Sequence, residues 1–288
     1  MILIQMSEKE FKYIDIHGHI NFPEYDSDSE EVIKRAQEAG VGIITVGTGF
    51  ESSRVATKLS EEYENMWAIV GIHPTDTHLD MAKTEFEGIK QLARHPRVVA
   101  IGECGLDYFH SKPEDMEQQR KLFLQHIELA NEVNKPLMLH IRNAKLNSQT
   151  GSVGVGLNIG DSNSSSHNAY QEAISIIKER AKVRANFHFF AGTVKDALDI
   201  VEMGNTVSFT GVLTFARNYD EVIRQIPLEN IMSETDCPYV APIPYRGKRC
   251  EPMYVIETVK KIAEIRGENV DRVAVQLLDN AKNVFDFH

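Results

Sequence analysis

The 288-residue sequence is poor in cysteine, in basic clusters and in long apolar runs, and each shortage removes a class of protein. Its three cysteines, Cys104, Cys237 and Cys250, are an odd number and form no CxxC pair. A disulfide framework or a cysteine-rich structural zinc site is therefore not expected. No apolar stretch approaches the ~18 residues of a membrane span. Residues 1–6 are apolar except for Gln5, form only a short run, follow no basic region and run into Glu8 and Glu10, so no secretory signal is expected. The expectation is a soluble protein of the cytoplasm, or of the nucleus in a eukaryote, acting as a monomer with no membrane partner. The formal net charge is −11, and no long basic run supplies the phosphate neutralisation on which nonspecific nucleic-acid binding depends. A nucleic acid gripped locally, with metal ions providing positive charge, stays compatible with that balance. No GxGxxG or GxxxxGK[ST] opens a helix, which removes support for nucleotide-binding folds.

What is present points to a layered α/β protein. Hydrophobic residues make up 42% and charged residues 25% of the chain, ample for a large core under an ordinary surface. Short runs rich in β-branched residues recur at 13–17, 42–47, 67–71, 98–102, 136–140, 184–189, 206–210 and 231–234. Between them lie stretches with helical spacing. Phe123, Ile127 and Ala130 fall at i, i+4 and i+7, with Leu124 and Val133 widening the stripe. Similar patterns occupy 29–39, 52–63, 82–93, 169–181, 193–202, 219–226 and 253–265. Val98-Val99-Ala100-Ile101 and Ile43-Ile44-Thr45-Val46 do not alternate, as expected of strands covered on both faces in a parallel sheet. Eight strand–helix repeats in a chain slightly longer than the ~250 residues typical of the fold predict a single (β/α)₈ barrel spanning 1–288. An open sheet has the same periodicity. Residues 147–168 break the pattern with four glycines, six serines and four asparagines, and we expect a flexible insertion after the fifth strand. Val153, Val155, Leu157 and Ile159 alternate within it, so part of it could pair as a hairpin or dock on the barrel.

The chemistry gathers at the ends of the predicted strands. His17 and His19 close the first strand one residue apart, so alternation turns both to one side, where two imidazoles suit Zn²⁺ or a similar ion. Such a pair also arises by chance on a surface. His73 follows the third strand, Glu103 the fourth, His140 closes the fifth, His188 the sixth, and Asp236 follows the eighth. Singly, a histidine can satisfy a core hydrogen bond, Glu103 an internal ion pair, and Asp236-Cys237-Pro238 a turn. Together they place imidazole and carboxylate groups at the rim where barrel enzymes assemble their sites. The other histidines (His78, His95, His110, His126, His167, His288) are expected at the surface. The cysteines lie close to these groups in sequence but have no paired base, and a buried structural role is expected for them.

Seven signatures in order, DIHGH at 15–19, GIHP at 71–74, GECGLD at 102–107, LHIR at 139–142, HFFAG at 188–192, SETDCP at 233–238 and RGKRCEP at 246–252, cover nearly the whole chain. The set resembles the TatD family of metal-dependent deoxyribonucleases, within the amidohydrolase-like barrels. The insertion and the three cysteines depart from the family pattern. The resemblance implies two divalent ions (Mg, Mn or Zn). His17, His19, Glu103 and Asp236 would hold one, and Glu103, His140 and His188 the other, with Glu103 bridging. It further implies exonuclease-type hydrolysis of DNA phosphodiester bonds by a metal-activated water that Asp236 orients or deprotonates. His73, Arg246, Lys248 and Arg249 are candidates for substrate phosphate, although the basic loop can equally be a solvated one. Tyr108 could stack on a base or simply pack. The same cluster would serve a D-aminoacyl-tRNA deacylase or another ester or amide hydrolase, and a catalytically silent binding barrel is a third reading.

Overall fold

Strands covered on both faces must be apolar throughout, and the strands found here are nearly all buried. A computed structural model describes residues 11–76, 79–144 and 168–287. Its strands are β1 (Tyr13–Gly18), β2 (Val41–Val46), β3 (Met66–Val70), β4 (Val98–Asp107), β5 (Leu137–Arg142), β6 (Ala185–His188), β7 (Thr206–Phe209) and β8 (Ile231–Ser233). They form one parallel sheet in the order β1 to β8. All six residues of β2 and all ten of β4 are buried. The helices are α1 (Ser29–Glu38), α2 (Phe50–Glu62), α3 (Leu79–Leu92), α4 (Met116–Val133), α5 (Ala169–Arg180), α6 (Val194–Glu202), α7 (Asp220–Gln225), α8 (Val255–Arg266) and α9 (Val270–Phe285). The predicted (β/α)₈ barrel is the observed fold.

The barrel closes between β8 and β1 through the segment just after β8. The Asp236 amide donates to the His17 carbonyl at 2.8 Å, and the His19 amide to the Cys237 carbonyl at 2.8 Å. The buried Asp15 carboxyl accepts from the Thr235 amide at 2.8 Å and the Thr235 hydroxyl at 2.5 Å. Asp15 thus fastens the seam on which His17, His19 and Asp236 stand.

Local sequence sets the helix ends. Asn168 caps α5 by accepting from the Gln171 amide at 3.1 Å, Thr193 and Asp196 form a reciprocal capping box on α6, and Asn269 caps α9. One core cluster joins Ile14, Ile16, Ile44, Val46, Ile69, Ala100, Met138 and Met232 of the strands to Leu278, Ala281, Val284 and Phe285 of α9. Trp67, at the start of β3, lies 4.2 Å from Phe287. α9 therefore packs against the strands away from their C-terminal ends. The strand–helix repeat did not predict this helix, because eight repeats already complete the barrel.

Two other expectations change. β4 extends five residues beyond its predicted end, because its ladder with β5 resumes at Cys104↔Leu139 after an irregularity and runs to Asp107↔Arg142. His126 was expected at the surface. It is buried in α4, accepting from the Ile72 amide at 3.0 Å and donating to the Leu122 carbonyl at 2.8 Å. The predicted insertion at 147–168 lies outside the described residues except for Asn168. No helix among the described residues is long and apolar enough to cross a membrane.

Candidate metal centre

The irregularity in β4 aims Glu103 into the barrel. Gly102 and Gly105 flank it with φ of +150° and +138°, and a Cβ at either would stand 2.3 Å from a β5 carbonyl oxygen, that of Met138 or of His140. Only glycine accepts both the dihedral and the close approach. The Glu103 amide donates to the Gly47 carbonyl, at the end of β2, at 3.2 Å. The side chain that results is 3% exposed.

Its two oxygens face two groups of imidazoles. Oε1 lies 2.8 Å from His188 Nε2, 3.0 Å from His140 Nδ1 and 3.6 Å from His73 Nε2. Oε2 lies 3.4 Å from His17 Nε2 and 3.8 Å from His19 Nε2. Asp236 completes the second side, its Oδ1 3.4 Å from His19 Nε2 and 4.0 Å from His17 Nε2. Asp236 has φ of +58°, a conformation Asp tolerates better than most residues. The His17 and His188 rings stack at 3.8 Å across the centre. The six predicted ligands are thus brought together, with His73 at their edge.

Hydrogen-bond partners separate the roles the imidazoles can play. His19 donates from Nδ1 to the Val46 carbonyl at 2.9 Å, which leaves Nε2, facing Glu103 and Asp236, as the nitrogen that can ligate an ion once it gives up its proton. His140 donates from Nε2 to Asp107 Oδ2 at 3.0 Å, which leaves Nδ1, facing Glu103 and, at 3.4 Å, His188 Nε2, in the same position. His73 is reversed: its Nδ1 accepts from the Thr75 amide at 3.3 Å, so Nε2 carries the proton. His73 therefore points a donor into the site.

The electrostatics follow from crowding ionisable groups in a dry mouth. Burial alone would raise the Glu103 carboxyl, but His188, His73 and His17 hold it well below the usual carboxylate range. Burial likewise opposes the charge on His188, yet Glu103 and Glu234 raise it well above an ordinary histidine. His140 is raised against its burial by Asp107 and Glu103. His17 is lowered by burial and by His188, and His73 falls to about 3 by burial and by His140. Among the described residues, neither ring nitrogen of the buried His17 has a hydrogen-bond partner, and neither does His188 Nδ1. Three sets of potential ligand atoms lie within 4.8 Å of one another: His17, His19 and Asp236; His73, Glu103 and His140; and His17, His188 and Glu234. Imidazole nitrogens and carboxylate oxygens converging with orphaned lone pairs fit a divalent cation.

Two buried carboxylates beside the ligands escaped the sequence reading. Asp107 backs His140, and Glu234 lies 3.6 Å from His188 Nδ1 while accepting from the Phe189 amide at 2.5 Å and from Ser208 Oγ at 2.7 Å. Both stand inside the quoted motifs GECGLD and SETDCP, which was the only signal for them. The candidate substrate residues are dispersed. Arg249 is committed to Asp28, at 2.8 and 2.5 Å, and to the Glu24 carbonyl. Arg246 and Lys248 are exposed, and the Arg246 guanidinium lies 4.0 Å over the exposed Phe215 ring. Tyr108 is buried and donates to Glu172 at 2.8 Å. All three cysteines are buried, and burial pushes the Cys237 thiol up to about 12, which suits inert packing.

An eight-stranded α/β barrel that collects imidazoles and carboxylates at the C-terminal ends of its strands is built as a metal-dependent hydrolase. The chain belongs to the TatD family: the family model described as TatD related DNase matches residues 14–286. It is similar to the uncharacterised metal-dependent hydrolase YabD of Bacillus subtilis, with 36% identity over 94% of this chain and 98% of that protein. It is also similar to a protein of Escherichia fergusonii named 3'-5' ssDNA/RNA exonuclease TatD, with 31% identity over 94% of this chain and 98% of that one. Among solved structures, the TatD homologue YjjV of Escherichia coli superposes with a TM-score of 0.81 at 26% identity, covering 96% of this chain and 99% of that chain.

Proposed function

We propose that this hydrolase cleaves phosphodiester bonds of DNA from a strand end, at a site holding two divalent ions. The observation that carries the reading is the placement of Glu103, with one oxygen toward His140 and His188 and the other toward His17 and His19. His17, His19 and Asp236 would hold one ion with Glu103, and His140 and His188 the other. When bound, Zn²⁺ would lower the pKa of water toward about 7, Mg²⁺ or Mn²⁺ would lower it less, and any of the three would offset phosphate charge. Asp236 would orient the attacking water and take its proton. Neutral His73 directs its Nε2–H toward a phosphate oxygen. Arg246 and Lys248 add local positive charge, while Arg249, tied to Asp28, steadies the loop that carries them. Tyr239, 50% exposed on the loop after β8, offers a face on which an unpaired base stacks. The exonuclease name of the Escherichia fergusonii relative supports the same substrate class.

The test is a panel of single-stranded DNA, double-stranded DNA and misacylated tRNA, run with each of the three ions. Shortening of DNA is the expected result, with Glu103→Ala reducing turnover by on the order of a thousandfold or more. Intact DNA with deacylated tRNA would instead assign an aminoacyl ester as the substrate. Full turnover by Glu103→Ala would remove the two-ion site.

A further inference from the structure

Asp107 is buried behind His140, and both of its oxygens are held by several donors. Oδ1 accepts from the Phe109 amide at 2.9 Å and the His110 amide at 2.8 Å. Oδ2 accepts from His110 Nδ1 at 2.8 Å and from His140 Nε2 at 3.0 Å. The Asp107 backbone is pinned as well: its amide donates to Gln119 Oε1 at 2.9 Å and its carbonyl accepts from Gln119 Nε2 at 3.1 Å, both from α4. A buried carboxylate held by four donors and two backbone bonds cannot turn away from His140.

We propose that Asp107 is a positioning residue that fixes the tautomer and ring orientation of His140, so that the Nδ1 lone pair faces the cation shared with Glu103 and His188. The inference rests on the two-ion reading above. An imidazole free to rotate offers its lone pair from Nδ1 or Nε2 and can turn either edge inward. Here only Nδ1 lies near Glu103 Oε1, at 3.0 Å. A carboxylate on the far nitrogen selects that state and strengthens the imidazole as a donor to the ion. Among the four histidine ligands only His140 has a carboxylate at hydrogen-bond distance on its far nitrogen: His19 is backed by the neutral Val46 carbonyl, Glu234 stands off from His188 Nδ1 at 3.6 Å, and His17 has no hydrogen-bond partner among the described residues. Loss of Asp107 should therefore weaken one ion and spare the other.

The experiment titrates metal-free protein with Co²⁺, reading the visible d–d absorption and the number and affinity of bound ions without substrate. Asp107→Ala is expected to weaken one binding step by about 10–100-fold and alter that ion's absorption band, leaving the other step within about threefold. Asp107→Asn keeps an acceptor oxygen for His140 and should lose less. Two unchanged steps, or two steps weakened alike, overturn the proposal. If Asp107→Ala does not fold, the same outcomes in Asp107→Asn decide it. Wild-type protein that binds no Co²⁺ removes the metal site and this inference together, whereas normal wild-type binding with an unaltered variant removes only the inference.

Discussion

Val46 fixes one edge of His19, Asp107 one edge of His140 and Thr75 one edge of His73, and in each case the opposite nitrogen is what the site receives. The strand-end positions of these histidines were legible in sequence because strand ends converge at a barrel mouth. Their tautomers were not, since Val46 and Asp107 lie far along the chain from His19 and His140, and the Thr75 amide reaches His73 only through the turn their loop adopts. His126 shows the opposite failure. Its place in an amphipathic helix suggested the surface, but it turns inward to bind the Ile72 amide, immediately before His73. Burial lowers this imidazole to about 4, opposed by its hydrogen bond to the Leu122 carbonyl. The unfolded chain, with a histidine pKa near 6.5, binds more protons than the folded one between those values, so stability must rise with pH across that window and is lost as pH falls from about 6.5 to 4. The loss attributable to His126 is about 3 kcal/mol when the window is crossed completely. Urea unfolding of metal-free wild type and His126→Gln at pH 7, 5.5 and 4 isolates it, because the other titrations largely cancel in the difference. The wild-type advantage should shrink by about that amount toward pH 4; a difference that is flat in pH would show that His126 does not titrate this way.

Among the elements, β4 had the most to tell and told only part of it. The sequence placed Glu103 just past a strand, and the apolar run of 98–101 made that strand plain. Nothing in the periodicity showed that the ladder resumes at Cys104 and continues to Asp107, because the irregularity is set by two glycines whose dihedrals appear only in three dimensions. α9 went unread for a different reason: its apolar stripe of Val273, Leu277, Ala281 and Val284 is regular, but the barrel pattern needed no ninth helix. The β4 glycines make a prediction at this scale. Gly102→Ala forces a Cβ to within 2.3 Å of the Met138 carbonyl oxygen at φ of +150°, and neither backbone can yield without breaking its ladder. The variant should lose on the order of 1–3 kcal/mol of stability from backbone strain. It should also lose most of its hydrolytic activity while keeping the circular-dichroism signature of the barrel. Wild-type activity would mean that Glu103 reaches its place without the glycine-dependent turn.

At the scale of the whole molecule, closure of the sheet was beyond the reach of periodicity, since the last strand joins the first through the Asp15 carboxyl and the amides around Asp236. That seam and the β4 irregularity bring residues from positions 17 to 236 into one cluster, and the cluster would couple the fold to a bound metal ion. His17 has two buried ring nitrogens without hydrogen-bond partners among the described residues, and Glu103 is shared among imidazoles. A divalent ion satisfies those groups only in the folded barrel, because the unfolded chain scatters them. At a hundredfold excess over the dissociation constant, one site adds about 2.7 kcal/mol of stability. For a chain of this size that amounts to a rise in Tm of about 4–5 °C. The ions must displace protons from His188, His140 and His19, all raised by neighbouring carboxylates, so the gain should be larger at pH 8 than at pH 6. Thermal scans with EDTA, and with Mn²⁺ or Zn²⁺ added back, measure it directly, and Glu103→Ala should remove most of the gain. An unchanged Tm at both pH values would mean that the cluster is held together by its own hydrogen bonds and owes nothing to an ion.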